Sequence, residues 1–505
     1  LVKSSNKKQP ARPANQAPPK PGERINNTRG TVQKEGNVFM DGLIGVLTSV
    51  KNVQVNYAET GGTVLPGYTP GIGFLGTSRP TLGFVFGSQA DVRYEAARNG
   101  WLTTYPEFNQ NFTQVTSKTL DLNANVDLFP DFKIDLVANR TSIDNFSEQY
   151  DVSGDGTYNP RSPYNFGNFS ISTMMIGTSF SQSDENISAA FDEFRGNRLV
   201  VANRLAESHY GGGPIPRYGT DVPVPADPND PNYQRIVSNL GYPVGFGKNS
   251  QAVLLPSFLA AYTGKDASGV SLGAFRSMPI PNWTVKYTGL MRYKFFKDRF
   301  KRFSLQHAYR ASYTVNSYRS NLDYGPSAPL DAGGNFQNKI LISNVNLVEQ
   351  FNPLIKVDME MKNSVKVVAE LKKDRALSMS FDNNLLTEVQ GTEYIVGLGY
   401  RIKDVIFNSA LADNPTGVIK SDINLRADFS LRNSQTIVRY LDYDNNQLAG
   451  GQNLWSVKLI ADYSFSKNLT AIFSYDHSFS KAVISTAFPI TNIRSWITLR
   501  YNFGN

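Results

Sequence analysis

Residues 422–432 read DINLRADFSLR, and apolar and polar side chains alternate along the whole stretch. Its apolar positions are Ile423, Leu425, Ala427, Phe429 and Leu431, and its polar positions are Asp422, Asn424, Arg426, Asp428, Ser430 and Arg432. Successive side chains of a β-strand point to opposite faces, so the stretch predicts a strand with one apolar face. Eleven residues at roughly 3.3 Å each, tilted by about 45°, rise about 25 Å, the height of the apolar band on a transmembrane β-barrel. A strand of a soluble β-sandwich would alternate in the same way.

The same alternation recurs along the chain, and this repetition favours the membrane barrel. Residues 120–128 (LDLNANVDL) and 132–138 predict one hairpin, residues 356–371 a second, and residues 394–402 and 455–475 further strands. We therefore predict an all-β fold, a transmembrane antiparallel β-barrel with long loops that carry short helices. The predicted lipid-facing residues are Leu120, Leu122, Val126, Leu128, Ile423, Leu425, Phe429 and Leu431. The predicted lumen-facing residues are Asp121, Asn123, Asn125, Asp127, Asp422, Asn424, Arg426 and Asp428.

The pattern divides the chain into four regions. Residues 1–35 are basic and rich in Pro, which predicts a disordered linker. Residues 36–182 hold barrel strands and loops, residues 183–280 form a long loop or cap region with two short helices, and residues 281–505 hold the C-terminal strands. The chain begins with Leu and has no secretory signal, so we expect it to be the C-terminal part of a longer precursor.

Local patterns refine this division. Helices are predicted at 184–207 and 251–262, strands at 84–89 and 169–180, and a loop at 140–168. A long Pro- and Gly-rich loop separates the two helices, and loops of this length in a compact domain are usually functional or disordered. In a barrel it would lie outside the membrane as a cap, a gate or a docking surface. The alternative is an insertion with no role beyond its own packing.

Composition fits this interpretation. Aromatic residues make up 12% of the chain, and such residues form girdles at both interfaces of membrane barrels, although they favour any β-sheet. No apolar run reaches the roughly 18 residues of a membrane-spanning helix, so a bilayer crossing would require closed strands. The chain has no Cys, so disulfides and thiolate metal sites are excluded.

The sequence contains no convincing catalytic or cofactor-binding motif. His209, His307 and His477 are far apart in sequence, and none has a metal-ligand partner at a suitable spacing. Residues 71–76 match GxGxxG, but no predicted strand precedes them and no predicted helix follows. We therefore predict that the protein is not an enzyme and binds no cofactor or metal.

A basic cluster lies between strands predicted at 283–287 and 305–315. It consists of Arg292, Lys294, Lys297, Arg299, Lys301 and Arg302, interleaved with Phe residues. A hairpin end at a phosphate-rich membrane surface or against an acidic partner would suit it, and a solvated turn is the commonest alternative. Nucleic acid is not an expected partner, because a nucleic-acid patch would be out of place in a membrane barrel.

The last predicted strand places Ile497, Leu499, Tyr501 and Phe503 on one parity. Many bacterial outer-membrane barrels end in an aromatic residue preceded by apolar residues at alternate positions, a pattern that the insertion machinery reads. Tyr501 and Phe503 resemble that signal, although Gly504 and Asn505 follow them.

Several separated stretches, in order along the chain, carry a family resemblance. They are GFVFGSQADVRYEAARNGWLT (83–103), LFPDFKIDL (128–136), SPYNFGNFSIS (162–172), LLPSFLAAYTG (254–264), PNWTVKYTGL (281–290), FSLQHAYRASY (303–313), VEQFNPLIKVDMEMKNS (348–364), LSMSFDNNLLTEV (377–389), IVGLGYRIKDV (395–405), SDINLRADFSLR (421–432) and VISTAFPITN (483–492). They resemble the C-terminal part of the SprA/Sov family, the outer-membrane translocon of the type nine secretion system.

The resemblance implies a very large barrel, to which this chain would supply C-terminal strands, in the cell outer membrane of a Gram-negative bacterium. It implies that folded cargo proteins pass from the periplasm to the cell surface. The implied partners are outer-membrane lipid, secreted cargo proteins, a PorV-like shuttle barrel, a periplasmic plug protein, an inner-membrane motor complex and the remaining N-terminal part of the same translocon.

Three other functions stay open at this point. A general porin should show shorter loops and a tidier alternation of short turns with long ones. A TonB-dependent receptor barrel needs an N-terminal plug domain, and a β-rich surface adhesin would tolerate charge on either strand face.

Overall fold

The structure is a computed structural model that describes residues 49–71, 80–325, 330–408, 417–443, 445–466, 468–484 and 487–503. The linker predicted at 1–35 lies outside these residues.

The described residues form one antiparallel sheet and a set of helices. The strands are β1 (Val50–Val64), β2 (Asn111–Phe129), β3 (Phe132–Val152), β4 (Tyr158–Ser172), β5 (Asn282–Tyr287), β6 (Phe300–Ser320), β7 (Ile340–Ile342), β8 (Asn344–Met361), β9 (Val365–Ser380), β10 (Leu385–Asn408), β11 (Val418–Tyr440), β12 (Asn446–Ser464), β13 (Leu469–Ala482) and β14 (Ile490–Tyr501). The helices are α1 (Leu82–Val85), α2 (Arg93–Arg98), α3 (Ala189–Tyr210), α4 (Tyr233–Ser238), α5 (Gln251–Thr263) and α6 (Lys294–Arg299). The spatial order is β1-β2-β3-β4-β6-β8-β9-β10-β11-β12-β13-β14.

Strands β4 and β5 occupy one position between β3 and β6. Ile171 of β4 lies opposite Arg140 of β3, and Asn282 of β5 lies opposite Val137 of the same strand. The chain therefore leaves the sheet partway along a strand and returns almost where it left. We call the inserted residues 173–281 the cap.

The two ends of the sheet carry different connections. The lower end is defined here by the tight turns between β2 and β3 and between β8 and β9. Asp131 and Ser364 in these turns have φ values of 71° and 70°, the left-handed conformation that tight hairpin turns use. At the opposite, upper end the chain continues from β1 into residues 65–71, enters β2 from residues 80–110, and continues from β6 into residues 321–325.

The cap contains the helices α3, α4 and α5, of which α3 and α5 coincide closely with the two helices predicted from sequence. Phe194 of α3 and Phe258 of α5 are fully buried, with ring centroids 5.8 Å apart. Both belong to a core cluster that also includes Tyr313 of β6 and Leu347 of β8. The cap therefore packs on the sheet through a hydrophobic core of the kind that stabilises soluble domains.

Three local predictions are wrong. The loop predicted at 140–168 is instead the end of β3 and most of β4, and its strand pattern is obscured because polar residues replace apolar ones at positions that other parts of the chain cover. No strand forms at 84–89: residues 84–85 end a short helix, α1, and residues 86–89 form a turn and a loop. Helix α1 begins after Thr81, whose hydroxyl accepts a hydrogen bond from the Phe84 amide. The strand predicted at 169–180 ends at Ser172, where the cap begins.

Candidate functional site: the two faces of the sheet

Cross-strand register places the apolar parity of neighbouring strands on the same face. Phe429 of β11 lies between Val396 of β10 and Val457 of β12. Leu425 likewise lies opposite Ala461 of β12, which lies opposite Phe473 of β13. Because directly paired residues of antiparallel strands point to the same side, these contacts define an apolar face and, behind it, a polar face.

The lower part of the apolar face is bare. Leu398 is 52% exposed, Phe429 45% and Ile497 70%, and each is a large side chain in the middle of a strand. A contiguous apolar surface across this many strands is not stable in water and indicates contact with lipid or with another protein. We call this region the belt.

Aromatic residues lie along both margins of the belt. Its upper margin is a row in which Tyr394, Leu431, Trp455 and Phe479 are paired across β10 to β13. At the lower end Phe129, Phe132 and Tyr287 are clustered, with ring centroids 4.6 Å apart for the first two. An apolar band with an aromatic girdle at each margin is the arrangement that transmembrane barrels show.

Both predicted sets of facing residues can be located on these strands. In β11, Ile423, Leu425, Phe429 and Leu431 lie on the apolar face, and Asp422, Asn424, Arg426 and Asp428 on the polar face. In β2, Leu120, Leu122 and Val126 lie on the apolar face, Asp121, Asn123, Asn125 and Asp127 lie on the polar face, and Leu128 lies in a register irregularity beside the turn.

The polar face carries charges of both signs in close contact. Arg432 of β11 lies 2.9 Å from Asp374 of β9, and Lys356 of β8 lies 3.3 Å from Glu370 of β9. A single row across four strands pairs Asp428, Lys458, Asp476 and Arg494, so the sign of the charge alternates along it. Exposed ion pairs of this kind contribute only about 0–1 kcal/mol each. Their main effect is to keep this face hydrated and free of a large single-sign field.

The upper part of the apolar face is covered, and charged residues there are buried in pairs. Glu349 of β8 and Arg375 of β9 lie 3.2 Å apart. Ser179 and Tyr309 donate hydrogen bonds to Glu349 at 2.6 and 2.7 Å, and Arg375 donates to the Thr178 carbonyl at 3.0 Å. Residues of the cap therefore supply hydrogen bonds to both charges.

A second buried pair lies two strands further along. Arg439 of β11 and Glu388 of β10 are both fully buried, 2.9 Å apart. Ser183 of the cap donates to Glu388 at 2.7 Å, and the guanidinium of Arg439 lies 5.6 Å from the ring centroid of Phe191. Sequence reasoning missed all four charged residues. The only signal in the sequence was that these charged residues occupy alternate strand positions that are apolar elsewhere in the same strands.

Residues 80–110 cover the same face over β2, β3 and β4. Arg93 of α2 lies 2.6 Å from Glu148 of β3, and Tyr158 of β4 donates to the same carboxylate at 2.8 Å. The guanidinium also lies 4.7 Å from the ring centroid of Phe112. The upper half of the apolar face is thus closed by protein on both sides, and the belt is the part that remains bare.

The predicted basic hairpin end lies at the lower end, between β5 and β6. Arg292 lies 2.6 Å from Asp131, Lys301 lies 3.0 Å from Glu360, and Arg302 lies 3.0 Å from Asp358. Arg299 is placed over the ring of Phe295, while Lys294 and Lys297 are exposed on α6. Half of the cluster therefore neutralises acids of the neighbouring strands.

The sheet has two edges. Within the part of the chain that the structure describes, β1 pairs only with β2, and β14 pairs only with β13. Tyr501 ends β14 at the lower end, and its ring centroid lies 4.8 Å from that of Phe503. The apolar residues of both edge strands, including Val55 and Ile497, are exposed.

The apolar band with its aromatic margins and the polar face behind it therefore identify the described antiparallel sheet as a fold of the transmembrane β-barrel class. None of the helices in the described ranges combines the length and hydropathy needed to cross a bilayer.

Comparisons with known proteins add two weak structural likenesses. One is to the ferric-catecholate import receptor Fiu of Escherichia coli K12 in a closed form, with a TM-score of 0.23 and 7% identity over 86% of this chain and 56% of the receptor chain. The other is to OmpT, an outer membrane protein of Vibrio cholerae in its trimer form, with a TM-score of 0.18 and 8% identity over 89% of this chain and 99% of that chain. This chain thus spans little more than half of the receptor. No protein-family model and no curated protein matches it.

Proposed function

We propose that this chain supplies part of the wall of an outer-membrane channel that exports folded cargo proteins from the periplasm to the cell surface of a Gram-negative bacterium. The observation that carries the proposal is that β1 and β14, the two edge strands beside the belt, each pair with only one strand among the residues that the structure describes. Within lipid, backbone N–H and C=O groups must all be hydrogen-bonded, so further strands have to pair with β1 and β14. Barrel diameter grows with the number of strands, and the family resemblance implies many more strands than the described sheet contains, so the completed channel would be wide enough for a folded protein.

The polar face supports the protein-conducting role. Its alternating charges, such as those of Asp428, Lys458, Asp476 and Arg494, present neither a strong field nor a large apolar patch. A hydrated wall of this kind would let a folded protein pass without binding to it. A ring of one sign would instead suit an ion-selective pore.

The proposal extends to partners through the family resemblance. The remaining N-terminal part of the translocon would supply the missing strands, and outer-membrane lipid would surround the belt. A PorV-like shuttle barrel, a periplasmic plug protein and an inner-membrane motor complex would act on the assembled channel, which would have no catalytic role and no cofactor.

Deletion of residues 49–503 from the chromosomal copy tests this function. We expect cargo proteins to accumulate folded in the periplasm, and a complementing copy that carries Asn424→Arg to restore their release. Secretion at the normal rate in the deletion strain would refute the proposal. Intact secretion together with lost uptake of small solutes would instead favour the porin or receptor. Loss of surface adhesion alone would favour the adhesin.

A further inference from the structure

A short segment of the cap crosses the strands on the apolar face just above the belt. Met175 donates its amide to the Tyr309 hydroxyl on β6 at 2.7 Å, and Ser179 reaches Glu349 on β8. Further along, the Ser183 carbonyl accepts a hydrogen bond from Gln390 of β10 at 2.6 Å. The segment is therefore fixed across β6 to β10 and forms the lower margin of the cap.

The row beneath this margin is polar, although it lies on the apolar face. It pairs Lys373 of β9 with Thr392, then Asn433 and Asn453 across β10 to β12. The next row down is the aromatic margin of the belt, which begins with Leu371 and Tyr394. A change from aromatic to basic and amide side chains over one row is typical of the level where acyl chains meet headgroups.

Phe180 projects from the cap at this level. Its ring centroid lies 5.3 Å from that of Phe351 and 4.8 Å from the ammonium of Lys373, yet the side chain is 59% exposed. Neither a purely aqueous nor a purely apolar environment suits an exposed ring beside an ammonium group. The interface of a bilayer suits both the ring and the ammonium group, because the ring reaches the acyl boundary while the ammonium stays among phosphates.

Met278 gives a second, independent point on the same margin. It is 78% exposed, and it lies between Arg276, whose carbonyl accepts from Arg140 at 3.1 Å, and Ile280, whose amide donates to the Ser172 carbonyl at 3.0 Å. Arg140 lies opposite Leu120, one of the belt residues of β2. Met278 is thus an exposed apolar side chain on a segment that is hydrogen-bonded to β3 and β4 at the upper limit of the belt.

We propose that the lower margin of the cap rests in the headgroup layer of the surrounding bilayer, with Phe180 and Met278 at the acyl boundary and Lys373 facing lipid phosphates. The bilayer is the occupant because this margin is continuous with the belt. The inference rests on the lipid-facing role of the belt, which is part of the proposed function, but it does not depend on protein transport. The cap is then an anchor in the membrane as well as a cover over the strands.

This chain contains no Cys, so each introduced Cys is its single labelling site, and dye bound by the unsubstituted intact protein is subtracted as background. Phe180→Cys and Met278→Cys are each labelled with an environment-sensitive dye in the intact protein, within outer-membrane vesicles doped with spin-labelled phosphatidylcholine. Leu199→Cys, at an exposed position on α3, is the matched aqueous control, and Tyr394→Cys is the lipid control. A nitroxide side chain at the same positions repeats the measurement without a bulky apolar dye.

We expect the labels at 180 and 278 to emit at shorter wavelength than the label at 199, and to be quenched by headgroup-level nitroxide but not by aqueous iodide. Quenching by iodide equal to that at 199 would overturn the inference, since the margin would then lie in water. Protection from both quenchers would also overturn it, since a protein would cover the margin. If the label at 394 is not quenched from lipid either, the belt assignment and the proposed function fail together.

Discussion

Leu425 and Asn424 are neighbours in sequence, but their side chains meet opposite surroundings. Leu425 lies in the belt, whereas Asn424 donates a hydrogen bond to Asp462 on the polar face at 2.8 Å. We expect Leu425→Arg or Phe429→Arg to block membrane assembly, because arginine on the lipid face near the bilayer midplane is unfavourable by about 2–4 kcal/mol. Asn424→Arg should be tolerated. Outer-membrane levels of the full-length protein measure the difference, and equal levels for all three variants would contradict the membrane assignment.

The buried pair of Glu388 and Arg439 gives a second residue-scale prediction. Glu388→Gln leaves the fully buried Arg439 without a counter-charge, which should reduce the free energy of unfolding by about 3–5 kcal/mol. The double variant Glu388→Leu with Arg439→Met should recover much of that loss, because no uncompensated charge remains. Arg432→Met, which breaks the partly exposed pair with Asp374, is the control and should change stability by at most about 1 kcal/mol. Urea denaturation followed by proteolysis of the cap measures the free energy of unfolding of each variant. Equal losses for Glu388→Gln and Arg432→Met would contradict the prediction.

At the scale of elements, the turn between β11 and β12 ties the sheet to the cap. Asp442 in this turn lies 2.9 Å from Lys248 and accepts a hydrogen bond from Asn249 at 2.7 Å, just before α5 begins. Arg198 of α3 lies 3.9 Å away. Burial acts to raise the pKa of Asp442, but the hydrogen bonds from Lys248 and Asn249 and the nearby cations outweigh it, so the pKa lies below its ordinary value of 3.8.

A lowered pKa makes the docking of the cap sensitive to acid. The stabilisation from Asp442 is complete above the ordinary pKa of 3.8 and is lost as the pH falls through the lower folded-state pKa. We expect acid to loosen the cap, measured as faster proteolysis between α3 and α5, and Asp442→Asn to show a smaller difference between neutral and acidic pH. Some dependence should remain, because hydrogen bonds also lower the pKa of Asp184 and Asp266. An unchanged acid response in Asp442→Asn would contradict this role.

At the scale of the whole molecule, the question is what pairs with β1 and β14, the two edge strands of the sheet that the described residues form. If other strands complete the barrel, backbone amides of β1 and β14 should be protected from hydrogen exchange in native outer-membrane vesicles and lose that protection in the isolated chain in detergent. Amides of β11, which has neighbours on both sides, should stay protected in both states. Free exchange of the edge amides in native vesicles would show that no further strand pairs with them.

The sequence by itself was sufficient for the strands that cross the belt. In DINLRADFSLR and LDLNANVDL apolar and polar residues alternate, because one side of each strand meets an apolar environment and the other side a polar one. This requirement is local, so it can be predicted from the alternation alone. The hairpins at 120–138 and 356–371 and the two helices of the cap could be predicted for similar reasons, since each depends on periodicity within a few turns or residues.

Only the tertiary structure decided what covers the upper part of the apolar face of the sheet. Glu349, Arg375, Glu388 and Arg439 lie on the same face as the exposed apolar residues of the belt, and nothing in their own strands explains them. The cap residues that hydrogen-bond to them lie more than a hundred residues away, so these contacts cannot be predicted from the local sequence pattern. The same long-range cover hid the strand at 140–168, because alternation is a record of environment, and the environment there is supplied by distant parts of the chain.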